Sequence, residues 1–243
     1  MDFPLTLADV FLACGIVAIG SIVQGNIGFG LGPLAVPLLV LIDPVFVPGP
    51  LLLAALVLTV LMYRREQHAV KEREIGWAVL GRLAGTVLGA ALLRVIPQEH
   101  LSLLFGVMVL LALAILAGGF HLPVNRGNLF GAGTLSGFMG TASSIGGAPM
   151  ALLYHKAEGP RLRGTLSGIF VIGTVLSIVS LMVIGRFGFR ELFSALILFP
   201  GIVVGFFVSG RTLKIFDGRY IRIAVFFVSA CSAVLLIVRS LHP

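Results

Sequence analysis

The stretch "GNIGFGLGPLAVP", residues 25–37, sets four glycines, two prolines and Asn26 inside an apolar run that begins at Leu5. Glycine and proline are the weakest helix formers. Irregular backbone at membrane depth is tolerated only where it is buried in protein or lines a water-filled cavity, because its free amide groups need partners. Whether that constraint applies depends on whether the chain lies in a bilayer.

Of the 243 residues, 58% are hydrophobic and 11% charged, and the mean hydropathy is +1.10. A soluble domain carries about 25% charged residues. The apolar runs are about 20 residues long, the length that crosses a ~30 Å hydrocarbon core as helix, and none alternates like a barrel strand. The chain reads as an all-α integral membrane protein with the lipid bilayer as its solvent. A net charge of +7 would suit nucleic acid, but the basic residues cluster in short connections between apolar runs. Positive-inside topology accounts for that pattern, and no nucleic-acid partner is expected. Asp2 and Asp9 stand where a cleavable signal would carry Lys or Arg, so the first apolar segment is expected to be retained. Cys14 and Cys231 fall within apolar runs and read as two buried thiols rather than a disulfide. No cofactor, metal ligand set or catalytic residue is expected.

Full spans are expected at residues 45–63, 75–96, 99–119, 164–184, 191–209 and 220–238. Two broken segments remain, residues 5–42 and 128–155, and they repeat one another. At an offset of 116 residues, "GNIGFGLGPLAVP" falls on "TASSIGGAPMALL", residues 141–153, pairing Gly30 with Gly146, Pro33 with Pro149 and Ala35 with Ala151. The same offset pairs Gly15 with Gly131, Pro44 with Pro160, Gly85 with Gly201 and Gly89 with Gly205. One transmembrane domain of two repeats follows, residues 1–122 and 123–243, each a broken hairpin and then three spans.

Charge decides how the broken segments are expected to sit. If each crosses the bilayer, the loop Lys and Arg residues divide evenly between the two sides. If each is a re-entrant hairpin, Arg64, Arg65, Lys71, Arg73, Arg126, Lys156, Arg161, Arg163, Arg211, Lys214, Arg219 and Arg222 share one side, and only Arg94, Arg186, Arg190 and Arg239 take the other. That asymmetry favours hairpins, with the basic side cytoplasmic, both termini outside, and the second repeat inverted in the plasma membrane. Residues 5–24 are long enough to span alone; residues 128–142 are not.

In a re-entrant hairpin the second helix begins at the midplane. Pro33 and Pro149 would sit in its first turn, where proline is tolerated. Each helix start would aim N–H groups and a positive dipole end inward, and Gly28, Gly30, Gly32, Gly146 and Gly147 would let a ligand approach the backbone. Gln24, Asn26, Thr141, Ser143 and Ser144 add hydrogen-bond donors without negative charge. Together they read as a binding site for a small anion. Arg82, eight residues beyond Glu74, is the only Lys or Arg well inside a span. It either serves the anion or snorkels across about 12 Å of helix to the cytoplasmic surface. No Asp or Glu lies deep in a span, which argues against a carboxylate proton relay and against cation transport. "GTVLG" at residues 85–89 and "GIVVG" at residues 201–205 read as close helix packing.

At these residues the chain resembles the TauE/SafE family of membrane transporters, the sulfite exporters. The resemblance rests on "GNIGFGLGPLAVPLL" and "GTASSIGGAPMALLY" and covers about residues 10–238. It implies export of a small anion, sulfite or an organosulfonate or other organic anion. An anion channel is an alternative that sequence does not separate from a carrier. A membrane-embedded hydrolase using Ser136 or Ser167 of the two "TLSG" strings is disfavoured, since His68, His100, His121, His155 and His242 lie in loops or at segment ends. A carrier is expected to tolerate Ser136→Ala. Oligomeric state stays open, a homodimer included.

Overall fold

The computed structural model describes residues 5–70, 72–119, 122–154, 157, 159–212 and 218–241, leaving aside the side chains of residues 72–73 and 218–222. Asp2, Lys71, His121, His155, Lys156, Lys214 and His242, named above, fall outside the described residues. The described residues form ten α-helices and no strand: α1 (Leu7–Ile27), α2 (Leu31–Ile42), α3 (Gly49–Glu66), α4 (Glu72–Val95), α5 (Leu101–Ala117), α6 (Arg126–Ser143), α7 (Gly147–Ala151), α8 (Gly159–Val183), α9 (Phe189–Thr212) and α10 (Gly218–Leu241).

Local sequence explains the helix ends. Thr6 caps α1 through a reciprocal pair with Asp9: Asp9 N–H donates to Thr6 Oγ1 at 3.2 Å, and Thr6 N–H to an Asp9 carboxylate oxygen at 2.9 Å. Asn125 caps α6 by accepting from the Asn128 N–H at 2.8 Å. α1 stops where Gly28 turns left-handed at φ 88°, and Gly30 at φ 129° completes the reversal. Only glycine adopts the second of these without strain.

Among the described residues six helices are long and apolar enough to cross a membrane: Leu7–Ile27, Glu74–Val95, Gln98–Ala117, Gly159–Val183, Phe189–Thr212 and Ile223–Leu241. Five coincide with expected spans. The sixth is α1, while the expected span at residues 45–63 becomes a 3-10 turn, Pro44–Phe46, followed by α3. The last turn of α3 holds Arg64, Arg65 and Glu66, so its apolar part is shorter than a full crossing. Large side chains such as Phe11, Val183 and Phe207 are 75%, 81% and 61% exposed on the outer faces, an arrangement suited to lipid and costly in water. Cys14 is half-buried and Cys231 exposed, and they are not bonded. The expectation of two buried thiols thus fails for Cys231, whose side of α10 faces outward.

The most extensive helix contacts are α4 along α6 and α1 along α9. Both rest on the glycines read as packing residues. A Cβ at Gly85 or Gly89 would run into the carbonyls of Thr134 or Phe138, and one at Gly201 or Gly205 into those of Cys14 or Ala18. Further contacts join α3 with α8 and α9, α4 with α8, α5 with α10, α2 with α10, and α5 with α7.

Each broken segment doubles back on itself. Leu31 packs on Gly20, and its N–H donates to Gln24 Oε1 at 3.3 Å, so α2 returns along α1. Beyond Ser144 the chain returns along α6, bringing Met150, Leu153 and Tyr154 into one cluster with Leu129. Residues near the two ends of α3 reach the two turns. At the first, Arg65 Nη2 donates to Gly25 O at 2.7 Å and Arg163 Nη1 to Asn26 O at 3.4 Å, taking up carbonyls that the end of α1 leaves free. At the second, Ser144 Oγ donates to Pro48 O at 2.9 Å, just before α3 begins. α2 itself is enclosed: Leu31, Ala35, Val36 and Leu39 pack with Leu51 and Leu58 of α3 and Phe105 and Val109 of α5.

Candidate functional site

The two returning chains meet in the interior. A Cβ on Gly32 would strike the Ser144 carbonyl, and one on Gly147 would meet Phe29 Cβ at 2.9 Å, so glycine at both positions lets the turns touch. Beside this crossing lies a cavity of about 40 Å³. Its walls include Gln24 and residues 30–33 of the first hairpin, Gly140, Ser144, Gly146 and Gly147 of the second, and side chains from the first three turns of α3 and the middle turns of α4 and α8, including Thr59, Arg82, Phe170 and Thr174.

Among the described residues Arg82 is the one cation on the cavity wall, and it is 2% exposed. Its Nη1 donates to Ser136 Oγ at 2.7 Å, and Ser136 Oγ in turn donates to the Gly146 carbonyl. The guanidinium carbon stands 5.2 Å from the centre of the Phe170 ring. Gly173 makes room for it, since a Cβ there would overlap the guanidinium. Among the described residues no carboxylate pairs with Arg82, and its buried Nε has no partner. Partly buried arginines nearer the helix ends are paired: Arg65 and Arg163 with Glu66 at 3.4 and 2.9 Å, and Arg161 with Glu74 at 2.7 Å. Keeping a charged arginine in the membrane interior costs about 2.5–3.5 kcal/mol even on the lenient insertion scale. One hydroxyl and one ring face are the contacts that offset that cost.

A family model described as Sulfite exporter TauE/SafE matches residues 11–236, nearly the whole chain. The chain belongs to the TauE/SafE sulfite exporter family. It is accordingly a multi-pass membrane protein of the sulfite or anion exporter type, from a family of transporters rather than enzymes. No curated protein and no solved structure matches it.

Within this TauE/SafE member, Gln24, Gly30, Gly32, Pro33, Arg82, Ser144, Gly146 and Gly147 share the one cavity. Five other residues proposed from sequence lie off it. Asn26 turns its amide to Ile22 O and to Thr212 Oγ1 of α9. Gly28 lies against Leu162 and Arg163 of α8. Thr141 joins Thr86 and Ser177 in a buried hydroxyl cluster at 3.2 and 2.8 Å. Ser143 donates to Met139 O one turn back in its own helix, and Pro149 is the third residue of α7. Pro33 and Pro149 do occupy first turns, but the two helix starts are unequal. α2 has 12 residues and α7 only five, too few aligned peptides for a comparable dipole. Near the second break Arg82 brings a full charge instead. Its side chain stays in the interior and does not reach for the surface as a snorkelling arginine would.

Ser136, Gly173, Thr59, Thr174 and Phe170 were not read as site residues from sequence. Ser136 sits in "TLSG", and its spacing from the second break, ten residues, gave no sign that the chain folds back onto it. Gly173 had no local signal at all, because its role depends on a side chain of another helix.

Proposed function

We propose that the chain exports a small oxyanion, sulfite or an organic sulfonate, from the cytoplasm, and that the anion binds between the two broken segments against Arg82. The observation that carries this reading is the buried guanidinium, without a carboxylate partner, on the wall of a cavity that both breaks line. A planar fork of donors suits an oxyanion, and Gly146 and residues 30–33 bring backbone close to it. The cavity lies at the middle turns of α4 and α8, which supports a site near the bilayer midplane.

Alternating access follows from two hairpins of opposite sense. Both breaks fall at the same 116-residue offset: α1 ends at Ile27 and α6 at Ser143, while α2 begins at Leu31 and α7 at Gly147. Exchanging the halves turns the α4–α6 contact into α9–α1, α3–α9 into α8–α4, and α2–α10 into α7–α5, and leaves α3–α8 and α5–α10 unchanged. This supports inverted repeats that rock against each other about the shared cavity. With an inside-negative potential, anion exit is favoured by about 2.3 kcal/mol per charge per 100 mV.

Counterflow of labelled sulfite and small sulfonates in proteoliposomes tests the reading. Saturable exchange is expected, abolished in Arg82→Ala and partly kept in Arg82→Lys. Undiminished counterflow in a folded Arg82→Ala protein would refute it.

A further inference from the structure

Against the polar cavity lies a larger one of about 400 Å³. Every described residue lining it is apolar or glycine, among them Phe29, Leu113, Leu116, Ala151, Leu162 and Phe226. Phe29, Leu113, Ala151 and Leu162 are only 8%, 3%, 7% and 5% exposed, while Ile223 and Phe227 on the same wall are 47% and 63% exposed, so the cavity runs inward from the lipid-facing surface. Its volume lies in the range of small-molecule pockets, ~300–1,000 Å³. The two cavities adjoin at Gly30 and Pro33, which line both. A small polar chamber holding one cation thus meets a large apolar chamber at a glycine and a proline.

We infer that the transported anion carries an aliphatic tail of several carbons, its acidic head held at Arg82 and its tail lying past Gly30 and Pro33 in the apolar cavity. This rests on the Arg82 reading of the site. Sulfite alone fills the polar chamber and gains nothing from the apolar one. A head and tail on one molecule occupy both, and burying each added methylene tightens binding about fourfold.

The test uses sodium n-alkanesulfonates from methanesulfonate to octanesulfonate, with sulfite as the tailless probe. Their binding to the purified protein in nanodiscs is measured calorimetrically, with empty nanodiscs as the blank for partition into lipid. Affinity is expected to rise about fourfold per carbon over the first several carbons. Ala117→Phe and Leu116→Trp, each adding bulk to the apolar lining, should flatten that rise and leave methanesulfonate affinity unchanged. Wild-type affinity independent of chain length overturns the inference. So does a rise that persists in both filled variants, the result expected if a lipid chain occupies the cavity. Arg82→Gln separates the two claims. If it abolishes sulfite binding while wild-type sulfonates show no length dependence, or do not bind, the Arg82 site stands and the tail falls. If it leaves head-group binding intact, the site reading itself falls.

Discussion

Gly173→Ala is the sharpest perturbation of the site, because it adds one methyl group on α8 and replaces no residue that could itself bind an anion. The new Cβ would overlap Arg82 Nε and Cζ, so the guanidinium must move by more than an ångström to restore van der Waals contact. Arg82 Nη1 holds Ser136 Oγ at 2.7 Å, and a shift of that size breaks the bond. A hydrogen bond to a charged group contributes about 1.5–3 kcal/mol, so anion affinity should fall about 10- to 150-fold. Gly140→Ala is the control, since its Cβ would stand 3.3 Å from Arg82 Nη2, which a small adjustment relieves. Gly131→Ala, with nothing within 4 Å, should be silent. Concentration-dependent uptake into proteoliposomes gives the apparent substrate constant, and size-exclusion behaviour checks folding. In an Arg82→Gln background Gly173→Ala should add little, because the two act through one group. Wild-type affinity in folded Gly173→Ala would refute the claim that the position of the Arg82 head group sets anion binding.

Ser136→Ala, expected from sequence to be harmless in a carrier, should instead weaken anion affinity about tenfold, since it removes the hydroxyl that orients Arg82; the same uptake assay reads it. Gly85→Leu and Gly201→Leu should cut the yield of monodisperse protein, because each side chain would meet a backbone carbonyl of the packed helix; unaltered yield and melting temperature would contradict that. Ser144→Asp sets a carboxylate on the cavity wall and should reduce binding by more than the ~1 kcal/mol two unit charges at 4 Å exchange in bulk water, measured by calorimetry. Single cysteines at Gln67 and Gly188, in a background lacking Cys14 and Cys231, should label from the cytoplasmic and external sides respectively; labelling from one common side would overturn the topology.

The fold and the site were not equally legible. Helices, breaks and the packing role of Gly85 and Gly201 could be read because glycine, proline and apolar length act locally. Arg82 stood out because a charge in an apolar span is rare. The rest of the site turned on helix rotation, which neither repeat motif encodes. Asn26 and Gln24 are two residues apart in α1, about 200° around the helix, so only one could face the cavity, and it is Gln24. Thr141 and Ser143 were grouped with Ser144 by adjacency, yet their hydroxyls find partners in neighbouring helices or in their own backbone. Gly30 was read as clearance for a ligand. Its φ of 129° already demands glycine, and a Cβ there would meet Val23 Cγ1 at 2.6 Å, so the turn accounts for that residue. The first break was expected to mirror the second, but α7 ends after five residues, and Arg82 of α4 stands beside Gly146.

The most direct test of an anion held between the two breaks is an experimental structure of the transport-competent protein with selenite, a heavy analogue of sulfite, located by the anomalous scattering of selenium. An oxyanion held by charge-assisted bonds of about 2.7–2.9 Å should give a peak within about 4 Å of the Arg82 guanidinium carbon, flanked by Gly146 and residues 30–33. A peak at another position, with the cavity beside Arg82 empty while selenite is transported, would contradict the account.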